Sequence, residues 1–127
     1  MPLVSITHSI DRPGVEQDLS ESVHEALVEA FGIPSDDYFH VVTSHGQTVG
    51  LFGPRSFLNV EHTAAMVFVQ IACAPGRSVE QKRSLYDQMA SRLASTGHVR
   101  RQDVIINLVE TARENWSFGD GVAQFAP

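Results

Sequence analysis

The chain has one cysteine, Cys73, and one tryptophan, Trp116. A lone thiol forms no intrachain disulfide, which fits a reducing compartment, so a cytoplasmic location is expected. No apolar run approaches the length of a membrane span, and no membrane association is expected. No basic segment followed by an apolar core opens the chain, so no signal peptide is expected. Basic residues are few: 9 Lys and Arg stand against 15 Asp and Glu, for a net charge of −6. Nucleic-acid binding needs a basic face, and this balance argues against one. The 6 histidines include no H-x-x-x-H pair and no Cys/His ligand spacing, so no metal site is expected.

What is present is enough for one domain. A chain of 127 residues, 43% hydrophobic, can bury about two-thirds of its unfolded surface without staples. Pro2 to His8 is apolar and β-branched and reads as a strand. Asp11-Arg12-Pro13-Gly14 breaks it, with either Arg12 or Gly14 as the cap of the next helix. Val15, Leu19, Val23, Ala26, Leu27, Ala30 and Phe31 recur at three- and four-residue steps, which predicts a helix over about 14–31. Gly32 stops it and Pro34 prevents a restart. Tyr38 to Ser44 reads as a second strand. Over 45–64 a turn is expected at His45-Gly46-Gln47. Short strands at Val49–Phe52 and Phe57–Val60 would then form a hairpin around Gly53-Pro54.

Met66 to Cys73 is the most hydrophobic stretch and reads as a central strand buried on both faces. Cys73 is therefore expected to be a packed thiol. Ser78-Val79-Glu80-Gln81 has the spacing of a capping box, and the helix it opens runs to about Thr96. Val79, Leu85, Tyr86, Met89 and Leu93 are expected to face the core, and Gly97 to end the helix. Asp103 to Thr111 reads as another strand. The tail, Trp116 to Phe125, is aromatic and Gly-rich, with a small hairpin expected around Gly119-Asp120-Gly121.

The order strand–helix–strand thus occurs twice, over about 2–44 and 66–111. Val15-Glu16-Gln17 recurs as Val79-Glu80-Gln81, each opening a helix after a turn containing Pro-Gly. Two βαβ units side by side make an α+β domain, a four-stranded sheet with both helices on one face. The other face and the edges then need cover, which a symmetric oligomer would supply.

The start, Met1-Pro2, carries the chemistry. Proline is small enough for methionine trimming, which would leave a rigid secondary amine at Pro2. Burial among apolar groups, or a nearby cation, would free its lone pair at neutral pH. By itself, Met1-Pro2 reads as an inert terminus, common after Met, and its surroundings decide.

Pro2 on such a repeat resembles the tautomerase superfamily, small enzymes that use an amino-terminal proline. The resemblance spans nearly the whole chain. It is carried by Met1-Pro2-Leu3, Glu29-Ala30-Phe31-Gly32-Ile33-Pro34, Gly76-Arg77-Ser78 with Glu80-Gln81-Lys82, Trp116-Ser117-Phe118-Gly119-Asp120-Gly121 and Ala123-Gln124-Phe125. Within the superfamily the chain looks most like the malonate semialdehyde decarboxylase group. That implies a double βαβ fold, a homotrimer and no cofactor. It implies catalytic roles for Pro2, Asp37 and Arg77, with Asp36 adjacent as the alternative carboxylate. It also implies a hydrophobic pocket wall at Trp116, Phe118 and Phe125, residues equally suited to core or trimer contacts. The group's second arginine falls on Pro75, a departure.

The chemistry fits these residue types. A 2-oxo acid and its enol differ by one proton moved between carbon and oxygen, which one base near neutral pH can carry. Arg77 would hold the substrate carboxylate bidentately at a helix start. The expected activity is keto–enol tautomerisation of a small, phenylpyruvate-like 2-oxo acid. The alternatives are decarboxylation of malonate semialdehyde or a related 3-oxo acid, or water addition to an unsaturated acid. Decarboxylation favours two cations, so Pro75 weakens it unless Arg12 or Arg55 reaches in. A non-catalytic trimeric binding module is the alternative of another class. His40 and His45 are read as structural, and Arg12 is given no role.

Overall fold

The computed structural model describes residues 1–46 and 50–127. Its elements run β1 (Leu3–His8), α1 (Val15–Phe31), β2 (Phe39–Ser44), β3 (Ser56–Phe57), β4 (Val60–Glu61), β5 (Val67–Cys73), α2 (Val79–Ser95) and β6 (Val104–Glu110). Single 3-10 turns at Arg101–Asp103 and Arg113–Asn115 flank β6.

The helix ends follow from local chemistry. Gly14 opens α1 in the left-handed region without a side-chain cap, which settles the choice between Arg12 and Gly14. Gly32 closes α1 at φ 67°, where its N–H donates to Val28 O, a conformation that costs other residues about 1 kcal/mol or more. At α2 the capping box is complete: Gln81 N donates to Ser78 Oγ at 3.1 Å, and Ser78 N donates to Gln81 Oε1 at 2.9 Å.

The sheet order is β2-β1-β5-β6. β1 runs parallel to β2 and antiparallel to β5, and β5 runs parallel to β6. Alternation along β1 and β5 sends Val4, Ile6, Val67, Val69 and Ile71 to the helix face, where they pack with Leu19, Val23, Leu27, Leu85, Met89 and Leu93. Burying each such side chain contributes about 1.5–3 kcal/mol. The helices also meet through Arg92, which bridges Glu25 and Glu29 at 2.9 and 2.5 Å. These exposed pairs contribute little.

Several expectations change. The central strand β5 is buried on its helix face alone; Gln70 is exposed, and Phe68 and Ala72 are half-buried on the other. Leu3, Phe39, Val41 and Val109 are exposed on that same open face. Val79 is 58% exposed rather than in the core: it is the first residue of α2, and the buried stripe of that helix is Leu85, Met89 and Leu93. The 45–64 hairpin is formed by β3 and β4 around Leu58-Asn59, both at positive φ, not around Gly53-Pro54. Paired positive φ values suit the right-handed twist of a two-residue hairpin turn. Gln47 and Val49, parts of the expected turn and first strand, lie outside the described residues, and Gly50–Phe52 forms no strand. The tail is a run of turns without strand pairing, held by Val122 N to Gly119 O and Ala126 N to Ala123 O. No helix among the described residues is long and apolar enough to cross a membrane.

Candidate functional site

Pro2 is buried. It precedes Leu3, which pairs with Phe39 on β2 and Ala72 on β5, so it lies where β2 begins and β5 ends. Across β5, Cys73 pairs with Glu110 of β6. The amino nitrogen of Met1 sits 2.6 Å from Asp37 Oδ2, and both side chains are largely buried. Asp36, beside it in sequence, is exposed.

Asp37 is positioned by the connection from α1 to β2. Asp37 N donates to Pro34 O at 3.1 Å. On one side His24 Nε2 bonds Ser35 O at 2.8 Å; on the other, Ser20 Oγ bonds both Tyr38 OH and His40 Nδ1 at 2.8 Å. The rings of His24 and Tyr38 lie 4.0 Å apart, and those of Tyr38 and His40 4.4 Å apart. Burial, followed by the charge of His24, lowers the His40 pKa to about 4. His40 is therefore neutral at pH 7 and braces the segment carrying Asp37. His45 lies at the other end of β2, where its N–H donates to His8 O.

A cavity of about 290 Å³ opens at the chain start, lined by Met1, Asp36, Asp37, Phe39, Phe118, Gln124 and Phe125. Phe118 contacts Phe39 at 5.4 Å and meets Phe125 edge-on at 5.5 Å. Trp116 does not line the cavity; it stacks on Phe118 at 5.3 Å, and its Nε1 donates to Thr111 Oγ1 at 2.8 Å. Thr111 N in turn donates to Cys73 O. The tail aromatics are thereby tied to the strand ends around Pro2. Phe39 escaped the sequence reading. Its alternation marked the face away from the helices, and nothing local showed that the tail returns to cover it.

Arg77 is half-buried just ahead of α2, with Cζ 4.9 Å from the Phe31 ring centroid, within the range of a cation–π contact. It does not line the aromatic cavity. Lys82, one turn into α2, reaches Glu110 at 3.4 Å. Burial pushes the Cys73 thiol pKa up; Arg77 opposes this, Glu110 adds to it, and Lys82 and the chain's amino terminus oppose it. Cys73 is thus a packed thiol among four charged groups, and Lys82 is a second cation at the Pro2 end of the sheet. The signal for Lys82 was its place three residues before the buried Leu85, on the inward stripe of α2.

Arg12 and Arg55 do not reach this end. The Arg12 guanidinium donates to Gly97 O at 2.7 Å, beyond the far end of α2. Arg55 flanks the β3–β4 hairpin, which is tied to the start of β6 by Thr63 N donating to buried Asp103 at 2.8 Å. Two larger cavities, of about 520 and 490 Å³, lie there beside Arg55 and Arg12, without the amino terminus. Among the described residues, no group of three His, Cys, Asp or Glu side chains is arranged to hold a metal.

Buried Pro2, the carboxylate of Asp37 beside the Met1 amino group, and an adjoining aromatic cavity thus lie together at one end of the sheet. A family model described as "Tautomerase enzyme" matches residues 37–119. The chain is 37% identical over 125 residues to the probable tautomerase YusQ of Bacillus subtilis, covering 98% of both chains. It superposes on a malonate semialdehyde decarboxylase inhibited by 3-bromopropiolate with a TM-score of 0.89 and 31% identity, covering 97% of this chain and 93% of the other. A fused 4-OT symmetric trimer shares the fold at a TM-score of 0.76 and 18% identity, covering 94% of each chain. By fold, family model and full-length similarity, the chain belongs to the tautomerase superfamily.

Proposed function

We propose that, once Met1 is removed, Pro2 serves as the acid–base group for keto–enol tautomerisation of a small 2-oxo acid with an apolar substituent, phenylpyruvate-like. The observation that carries this reading is the Met1–Asp37 contact at the mouth of an aromatic cavity. Trimming one residue transfers the free amine to Pro2, which is already buried at the same place.

Burial and the Arg77 cation favour the free base of Pro2, while Asp37 favours its acid. The balance lets one amine take a proton from the enol oxygen and deliver it to carbon. Arg77 anchors the substrate carboxylate, and Phe39, Phe118 and Phe125 receive the apolar end. Trp116 supports that wall from behind. The protein would work as a cytoplasmic homotrimer, supported by the open apolar sheet face and the trimeric fused 4-OT of the same fold.

A second reading is decarboxylation of a 3-oxo acid of the malonate semialdehyde kind. Two observations favour it: the similarity to a malonate semialdehyde decarboxylase, and Lys82, a second cation beside Cys73 and Glu110 in a chain that has Pro75 in place of the group's second arginine. Intact mass followed by ultraviolet assay of phenylpyruvate enol and malonate semialdehyde separates the two. Pro2-dependent ketonisation with Met1 absent supports the tautomerase. Carbon dioxide release with little ketonisation supports the decarboxylase. Ketonisation retained in Pro2→Ala overturns the proline mechanism, and a retained Met1 with neither activity favours a binding module.

A further inference from the structure

We infer that Gln124 is a positioning residue whose side-chain amide holds Phe118 and Phe125 against the cavity and so sets the preference for an apolar substituent on the substrate. The inference rests on the proposed reading that this cavity takes a 2-oxo acid.

The tail beyond Trp116 has no strand or helix to hold it. Phe118 precedes the Gly119–Val122 turn and Phe125 lies in the next turn, Ala123–Ala126, and the Gln124 side chain reaches back across the first turn. Gln124 Oε1 accepts from Phe118 N at 2.9 Å, and Gln124 Nε2 donates to Gly119 O at 3.2 Å. Phe118 is thus fixed through its own amide, and Phe125, the next residue after Gln124, is fixed through the chain. Gly119 O also accepts from Val122 N at 3.3 Å and Ser117 Oγ at 3.4 Å, longer contacts that leave the Phe118 N–H unserved. Among side chains of this length, only an amide presents an acceptor and a donor at one tip. The consequence is geometric: the rings meet edge-on at 5.5 Å, and Phe118 keeps its stack on Trp116. Gln124 itself lines the cavity. Gln124→Met keeps the length and loses both bonds, so the tail loosens while Pro2, Asp37 and Arg77 stay in place.

The test uses the full chain with Met1 removed, as wild type, Gln124→Met and Gln124→Ala. One readout is deuterium exchange at C3 of phenylpyruvate and of pyruvate. The other is acrylamide quenching of Trp116, the only tryptophan, which needs no turnover. Loss of the two bonds is expected to raise KM for phenylpyruvate about tenfold more than KM for pyruvate, with the difference falling on KM rather than kcat, and to increase Trp116 quenching. Equal losses on both substrates, or unchanged quenching with an unchanged KM ratio, overturn the inference. If the wild type exchanges neither substrate, the functional reading fails. Trp116 quenching alone then decides whether Gln124 holds the tail: increased in Gln124→Met supports it, and unchanged overturns it.

Discussion

The amino nitrogen of Met1 and Oδ2 of Asp37 lie 2.6 Å apart, so the carboxylate that follows α1 closes onto the chain's first atom. This contact joins the residue before β1 to the connection between α1 and β2. It also separates Asp37 from Asp36, which is exposed and makes no such contact. Asp37→Asn is expected to lower kcat/KM for ketonisation by about 100-fold, and Asp36→Asn by no more than about twofold. Equal effects from the two substitutions would show that the contact has no catalytic meaning.

The His40 cluster predicts acid sensitivity. Its pKa falls from the ordinary 6.5 to about 4 in the folded chain. The unfolded chain therefore binds more protons between those values. The contribution of neutral His40 is fully present above about pH 6.5 and is lost as pH falls towards 4. Thermal melts at pH 7, 5.5 and 4 are expected to show a falling Tm, and His40→Gln to flatten that fall. A wild-type Tm independent of pH over this range counts against the buried neutral imidazole.

Cys73 reports on the cations at the site. Burial raises its pKa, and Arg77 is the leading charge that opposes the rise. Arg77→Ala is expected to move the thiol's titration further up and to slow alkylation at pH 8. Alkylation rate against pH measures this directly. A variant titrating at or below the wild-type value would mean that Arg77 points away from Cys73.

The Ser78 cap holds the start of α2 immediately after Arg77. Ser78→Ala removes the acceptor for Gln81 N, and a cost of about 1 kcal/mol in urea unfolding is expected. Because the cap and Arg77 are adjacent, KM is expected to rise with it, while Ser95→Ala at the other end of the helix leaves KM unchanged. Loss of stability with KM unaltered would show that Arg77 is held independently of the cap.

Sequence alone determined the elements whose causes are local. The apolar stripe of α1, the Gly32 stop, the Ser78–Gln81 box and the alternation of the strands all depend on residues within a few positions of one another. The repeat Val15-Glu16-Gln17 and Val79-Glu80-Gln81 carried the tandem order in the same way. The expectation that Pro2, Asp37 and Arg77 share one site came from the family resemblance.

Only the tertiary structure decided what depends on register and on chain return. The pairing of Leu3 with both Phe39 and Ala72 sets which residues stand beside Pro2, and no local pattern encodes that register. Phe39 reads as an outward residue until Phe118 folds back over it, and Lys82 as a helix lysine until Glu110 arrives beside it. The tail turns instead of pairing, with Gln124 serving Phe118 N and Gly119 O, and it is tied back to the sheet by Trp116 Nε1 donating to Thr111, whose N–H donates to Cys73 O. Val79 misled for the same reason: helical periodicity identifies a stripe, but only packing against other elements shows which of its residues are covered, here Leu85, Met89 and Leu93 but not Val79.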